Sequence, residues 1–241
     1  MDDRDTTPEP GLFLRLLEPL HRTVRSLSDE VIPLARGWVL RTRSLPSVWS
    51  FNALHITQPA SMAEVLALAD EYQGDLAYRH IVIEDEDTGS ELEQPLHGAG
   101  WRVDREVYMV LADPPTGDLE VSDIRELTEE QTLVLTRRWC EEDHPGISAE
   151  SLDQLLEFAR REGRLWDEAR FGIVDAAGNP MSMTKLRIDD STAWVEDVYT
   201  VPTARCRGYA KTLVTHATTL AAQAKREVAF IIADDNDWPK H

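Results

Sequence analysis

Residues Val195-Glu196-Asp197-Val198-Tyr199-Thr200-Val201-Pro202-Thr203-Ala204-Arg205-Cys206-Arg207-Gly208-Tyr209-Ala210 constrain this chain more than any other stretch. They read as a strand rich in β-branched and aromatic residues, a proline that stops it, a short basic loop and the start of a helix. The first turn of a helix leaves backbone N–H groups unpaired and carries partial positive charge, so it attracts anions. Gly208 places no Cβ in the way of a bulky phosphate. Arg205 and Arg207 add positive charge in a chain whose formal net charge is −19. A pyrophosphate-bearing cofactor suits such a loop. A Walker loop would need Gly-Lys-Ser/Thr and a dinucleotide loop Gly-x-Gly, and neither occurs here.

The surrounding pattern is α/β. Apolar spacing predicts a helix over 12–27, with Pro19 expected to kink or divide it, and a helix over 61–72 with a Ser61/Glu64 capping box. Strands are expected at 37–42, 49–56, 80–83 and 105–111. Asp113-Pro114-Pro115-Thr116-Gly117-Asp118 can continue neither neighbour and is read as the domain boundary, giving domains over 1–115 and 119–241. The second half then reads as a strand over 119–125, helices over 128–142 and 149–162, and strands over 171–174, 181–188 and 194–201. A helix over 209–225 and a strand over 228–233 close it. Ile81-Val82-Ile83-Glu84-Asp85-Glu86-Asp87 resembles Phe230-Ile231-Ile232-Ala233-Asp234-Asp235-Asn236, each after an Ala-bearing helix and an aromatic-bearing strand, and this order favours an internal duplication.

Composition narrows the function. The acidic charge repels phosphate backbones, which disfavours nucleic acid as a partner, and modestly favours cationic small molecules. No window has the length of a membrane span, the N-terminus is acidic and polar, and Cys140 and Cys206 are unpaired by spacing. A cytoplasmic location is the expectation. The seven histidines have no metal-ligand spacing and there is no Gly-x-Ser-x-Gly elbow, so neither a metal nor a serine nucleophile is expected.

Arg205-x-x-Gly208-x-Ala210, three residues after the proline of Tyr199-Thr200-Val201-Pro202, resembles the signature of the GNAT superfamily of acyl-CoA-dependent N-acyltransferases. The element order of 119–241 is similar to that family too. The resemblance implies a GNAT-like mixed central sheet flanked by helices, in two GNAT-like halves of which only the second keeps the cofactor loop. It implies acetyl-CoA as co-substrate, with its pyrophosphate on the backbone N–H groups of Arg205, Cys206, Arg207, Gly208, Tyr209, Ala210 and Lys211. Its pantetheine would pair with the backbone of Tyr199, Thr200 and Val201, where two parallel strands splay, and Asn236 would lie near the cofactor. The implied reaction is direct attack by a primary amine of a small molecule or peptide on the thioester. The base would come from Glu196 or Asp197, which, as neighbours on a strand, should point to opposite faces. Trp139, Glu141, Glu142, His144 and Trp166 are candidates for the acceptor wall, and Cys206 for a small loop filler. The first half, lacking the loop, would be a scaffold or an acceptor-side wall. After Trp238-Pro239-Lys240-His241 the family's next helix and hairpin have no counterpart, so the expectation is either that the sequence is a shortened one or that another segment or chain completes the sheet. The other reading of the intact loop is a non-catalytic acyl-CoA-binding regulatory module. Homo-oligomerisation is left open by the sequence.

Overall fold

The computed structural model describes residues 11–113 and 123–235, so the linker from Pro114 onward and Asn236 lie outside the described residues. Its strands form two sheets. In the first, β1 (Glu30–Leu34), β2 (Gly37–Arg41), β3 (Leu54–Ile56) and β4 (Ile81–Ile83) lie in that order, antiparallel except for the parallel pair β3 and β4. The second contains β5 (Glu106–Val110), β6 (Ile124–Glu126), β7 (Asp167–Val174), β8 (Pro180–Ile188), β9 (Thr192–Thr200) and β10 (Val228–Asp234). Its order is β5-β10-β9-β8-β7-β6, and only β9 and β10 run parallel. Helices α1 (Leu12–Leu27), α2 (Met62–Gln73), α3 (Glu86–Gly98), α4 (Glu129–Asp143), α5 (Ala149–Gly163) and α6 (Tyr209–Gln223) flank them. The architecture is the mixed α/β arrangement that the sequence pattern implies.

Local chemistry accounts for most boundaries. Ser61 and Thr128 cap α2 and α4, and Glu64 and Gln131 return the bond to the cap backbone, so both helix starts are closed by their own side chains. Two expectations need correcting, and one strand has no counterpart among them. Pro19 does not divide α1: the helix runs through it, losing one backbone bond, and the Thr23 hydroxyl donates to the Pro19 carbonyl at 2.9 Å. Residues 49–56 are not one strand. The Asn52 side chain donates to the carbonyls of Leu45 and Val48 and accepts from the Thr42 N–H, curling Trp49–Phe51 into a 3-10 turn and leaving only Leu54–Ile56 extended. Residues 30–34 form a strand despite Pro33, because β1 is an edge strand of its sheet.

The two halves repeat one motif. An antiparallel run leads into β3-α2-β4 in the first half and into β9-α6-β10 in the second, each a parallel pair joined by a helix. The similar segments at 81–87 and 230–236 fall on β4 and β10 and just past their ends. The first half nevertheless reaches into the second sheet. β5, which precedes the expected linker, pairs antiparallel with β10, from Phe230↔Val110 to Asp234↔Glu106, and closes the far edge of that sheet. Shared packing strengthens the union. Leu16 of α1 lies in one cluster with Trp166, Trp194, Val228 and Phe230, and Phe51 meets Phe158 of α5 at 4.7 Å between ring centres.

Candidate functional site

The loop before α6 owes its shape to a fault in β9. Lys185 of β8 faces Glu196 and Met183 faces Tyr199, so Asp197 and Val198 share the place opposite Thr184. This is a β-bulge, and Asp197 adopts φ of 52° to make it, a left-handed conformation that aspartate tolerates better than most residues. The bulge bends β9 away from β10. Their pairing covers only Thr192–Val195 against Val228–Ile231, although β9 continues to Thr200. From Glu196 onward the β10-facing backbone of β9 has no strand partner, so a V-shaped gap opens between two parallel strands.

At the mouth of that gap, Pro202–Ala204 form a 3-10 turn and residues 205–208 are exposed. Cys206 and Gly208 both have positive φ, 62° and 80°. No side chain caps α6, and the first backbone bond of the helix runs from Thr212 N–H to the Gly208 carbonyl at 2.9 Å. The N–H groups of Tyr209, Ala210 and Lys211 therefore have no acceptor within the helix. A Cβ at Gly208 would meet nothing within 4 Å, so the space beside this backbone is open. The matching helix of the first half differs at this point, because the Glu64 carboxylate already sits on the first turn of α2. β3 and β4 also stay paired to their ends, the Glu84 N–H donating to the Ile56 carbonyl at 2.9 Å. The first half thus has neither the gap nor the bare helix end.

The side chains of the loop do less than its backbone. Tyr199 and Val201 are buried in the core beneath α4. The Tyr199 hydroxyl donates to Glu142 at 3.0 Å, and burial, with that carboxylate, pushes the phenol up to about 12. Arg205 folds back, donating to the Thr200 carbonyl at 3.0 Å and pairing with Glu142 at 2.6 Å. Arg207 donates to the Thr203 carbonyl at 3.2 Å. The Thr200 hydroxyl lies 2.7 Å from that of Ser182. What remains open for an anion is mainly the backbone of residues 205–211.

On the other side of β9, the bulge corrects the expectation that Glu196 and Asp197 point to opposite faces. Both line one cleft of about 320 Å³. Asp197 pairs with Lys185 Nζ at 2.5 Å, and Glu196 with Arg187. Arg187 is wholly shielded from solvent and also reaches Glu162 at 2.7 Å and Glu168 at 2.9 Å. The environments separate the two neighbours. Burial holds Glu196 well above the usual carboxylate range in spite of Arg187, whereas Lys185 and Arg187 outweigh burial at Asp197 and hold it low. The two neighbouring carboxyls thus differ in proton affinity, Glu196 high and Asp197 low.

Of the expected wall residues, Trp139 and His144 line this cleft, with Cys140 and Asp143 beside them. Glu142 instead grips Tyr199 and Arg205, and Glu141 is exposed. Trp166 is not a wall residue. Its indole N–H donates to the Thr23 hydroxyl at 3.0 Å and its ring packs edge-on against Trp194, inside the core shared by the halves. Cys206 is exposed and Cys140 half-buried.

One cluster has no signal in the sequence. His55 Nδ1 and His21 Nε2 lie 2.7 and 2.8 Å from the same Oε1 of Glu84. These separations suit N–H donors on one oxygen and are shorter than the roughly 3.3 Å between donor atoms sharing a tetrahedral ion with bonds near 2.0 Å. Burial pushes the Glu84 carboxyl up, but the two histidine bonds prevail and bring it down to about 2. Burial also lowers His55, whose ring stacks on Trp38 at 3.8 Å. The cluster bolts α1 to the first sheet.

The model of the acetyltransferase (GNAT) family matches residues 133–238. No curated protein matches the chain. Among solved structures, a functionally unknown conserved protein from Staphylococcus epidermidis is similar over 89% of this chain and 86% of its own, with a TM-score of 0.62 at 11% identity. This likeness extends the shared fold over both halves. A GCN5-related N-acetyltransferase from Sphaerobacter thermophilus aligns over 63% of this chain and 50% of its own, at 16% identity and a TM-score of 0.43. A Trypanosoma brucei acetyltransferase aligns over 48% of this chain and 83% of its own, at 16% identity and a TM-score of 0.35. Residues 133–238 of this chain are therefore similar to the acetyltransferase (GNAT) family.

Proposed function

We propose that the protein transfers an acetyl group from acetyl-CoA to a primary amine of a small molecule or peptide. Residues 119–241 would bind the cofactor, and a GNAT-like first half over 1–115 would serve as scaffold and acceptor-side wall. The observation that carries this reading is the pairing of two features around one bulge: a strand gap ending at a bare helix N-terminus, and two part-buried carboxyls lining one cleft across β9. The backbone N–H groups of Arg205 to Lys211 would hold the pyrophosphate, with the helix dipole adding to the attraction. The side of β9 that β10 no longer pairs, around Tyr199, Thr200 and Val201, suits the amide groups of a pantetheine arm, which would displace Arg205 from the Thr200 carbonyl, and a backbone N–H there would polarise the thioester carbonyl. Asn236, beyond the last described residue, remains a candidate contact.

Glu196 is the better base. Its carboxyl faces the cleft with a proton affinity raised by burial, so it can accept the proton that an ammonium group must lose before its nitrogen attacks. Asp197, locked on Lys185, would supply a fixed negative charge to draw the ammonium in. Glu196 takes one proton from the ammonium, the freed amine forms the C–N bond as the C–S bond breaks, and the second nitrogen proton passes to the thiolate, which leaves as the thiol of coenzyme A.

The test is calorimetric titration with acetyl-CoA, followed by thiol release across a panel of amines. Gly208→Glu should weaken acetyl-CoA binding at least tenfold and by more than Gly208→Ala, because both strain the left-handed backbone at φ of 80° but only the first brings a carboxylate to the pyrophosphate site. Equal binding by Gly208→Glu, or no binding by the native chain, sinks the cofactor assignment. Glu196→Gln should bind acetyl-CoA normally and lose turnover. Binding by the native chain without turnover of any amine would instead mark a regulatory acyl-CoA-binding module.

A further inference from the structure

The cleft beneath Glu196 and Asp197 is built by both halves. Leu20, Thr23 and Val24 of α1 enter it from the first half with Ser50 and Phe51, and α4 and α5 of the second half close it with Trp139, Leu155 and Phe158. At about 320 Å³ it stands near the lower end of the ~300–1,000 Å³ typical of small-molecule sites. Its chemistry is divided. The walls are aliphatic and aromatic, and the charged lining is carboxylate only, from Asp143, Glu162, Glu196 and Asp197. The compensating cations, Lys185 and Arg187, lie buried behind this floor. Glu196 Oε2 is shielded and paired with Arg187, while the side chain as a whole keeps 27% exposure and lines the cleft, where a donor can reach the carboxyl. An aromatic group extends outward from the rim, where the exposed Trp49 lies 5.3 Å from the His144 ring and 6.0 Å from Tyr78.

We infer that this cleft takes a small primary ammonium compound with an apolar or aromatic body, and that the first half selects it. The inference rests on the acyl-transfer reading for its chemistry but not for its binding. The ammonium head sits on the acidic floor and donates to Glu196, while the body lies between Phe51 and Leu20 on one side and Trp139 and Phe158 on the other. Carboxylates draw the cation, and aromatic faces accept both its charge and its carbon skeleton. A lysine within a protein chain is a poor occupant, because α1 and the 49–51 turn stand where a polypeptide would have to continue. The first half has thus exchanged a cofactor site for a specificity wall.

Two measurements on the full chain test this. Quenching of tryptophan fluorescence by 2-phenylethylamine, ethanolamine and a lysine-containing peptide, without acetyl-CoA, reads binding alone. Thiol release with the same amines reads kcat and KM. 2-Phenylethylamine should bind, and be acetylated with kcat/KM at least tenfold above the other two. Ser50→Arg, which brings a cation to an exposed lining position, should raise its KM at least tenfold and leave acetyl-CoA affinity and thermal stability unchanged. A peptide that equals or exceeds 2-phenylethylamine overturns the inference, as does an unchanged KM in Ser50→Arg. Failure of every amine to bind while acetyl-CoA still binds would remove the cleft assignment and spare the cofactor site. Amine binding without acetyl-CoA binding would do the reverse.

Discussion

Replacing Arg187 by methionine would remove the cation that three carboxylates share. The guanidinium is wholly shielded from solvent and touches Glu162 at 2.7 Å, Glu168 at 2.9 Å and Glu196. Methionine fills similar volume, so the change is one of charge rather than a cavity. Breaking a buried ion pair from one side costs about 3–5 kcal/mol. Arg170 still holds Glu168 at 2.8 Å and Lys185 still holds Asp197, which tempers the loss, but Glu162 and Glu196 are left without a cation. A penalty of about 4 kcal/mol corresponds to roughly 8–16 °C in a protein of this size, at ~2–4 °C per kcal/mol. Thermal melts followed by far-ultraviolet circular dichroism would measure it. The pH dependence is equally diagnostic. In the variant the stranded carboxyls have folded pKa values raised above their unfolded ones, so their penalty is absent at low pH and grows as pH rises. The gap between native and variant Tm should therefore be wider at pH 8 than at pH 5, and adding Glu196→Gln should recover part of it. A Tm drop below ~3 °C, or a gap that ignores pH, would refute the view of Arg187 as the keystone of this cluster.

Acid should unlock α1. Glu84 is held at about 2 against an ordinary value of 4.5, so its contribution is complete above pH 4.5 and disappears as pH falls towards 2, on the order of 3 kcal/mol in all. His55, lowered by burial, adds a penalty for folding below its usual 6.5. Urea midpoints should accordingly fall from pH 7 to pH 5 and more steeply below 4.5, and Glu84→Gln should flatten the second phase. Equal midpoints at pH 7 and pH 4 would contradict this. The two thiols should also differ: burial and the nearby Asp143 and Asp197 push Cys140 up to about 11, while Cys206 is exposed on the loop. One fast-reacting thiol towards a disulfide reagent at pH 8, protected by acetyl-CoA, is the expected result. Two fast thiols in the folded chain would show that Cys140 is not sheltered.

The sequence disclosed what depends on neighbouring residues. Ser61 with Glu64 and Thr128 with Gln131 mark their helix starts within four positions, and the structure has both capping boxes. The strand-proline-glycine-helix run marked the loop for the same reason. Features set by partners across the fold were not legible. Glu196 and Asp197 look like ordinary alternating strand residues, and only the offset between Met183 and Lys185 on β8 reveals the bulge that turns both to one cleft. His21, His55 and Glu84 are separated by 29 and 63 residues from one another in their contacts, so no spacing rule could assemble them. Trp166 looked like an accessible loop aromatic because the partner that buries it, α1, lies 143 residues earlier at Thr23.

The placement of β5 gives the chain an unusual relation between its covalent and its physical division. Leu111 N–H donates to the Ala229 carbonyl at 2.8 Å, so the last described strand before the linker is hydrogen-bonded to β10, the last strand among the described residues. A cut between residues 113 and 123 would separate the polypeptide but leave a complete antiparallel ladder joining the pieces. The two fragments should copurify and, expressed apart, reconstitute each other, as the halves of a split reporter do. Neither piece is a free-standing unit, since the second without β5 would present β10 as a raw sheet edge open to wrong partners.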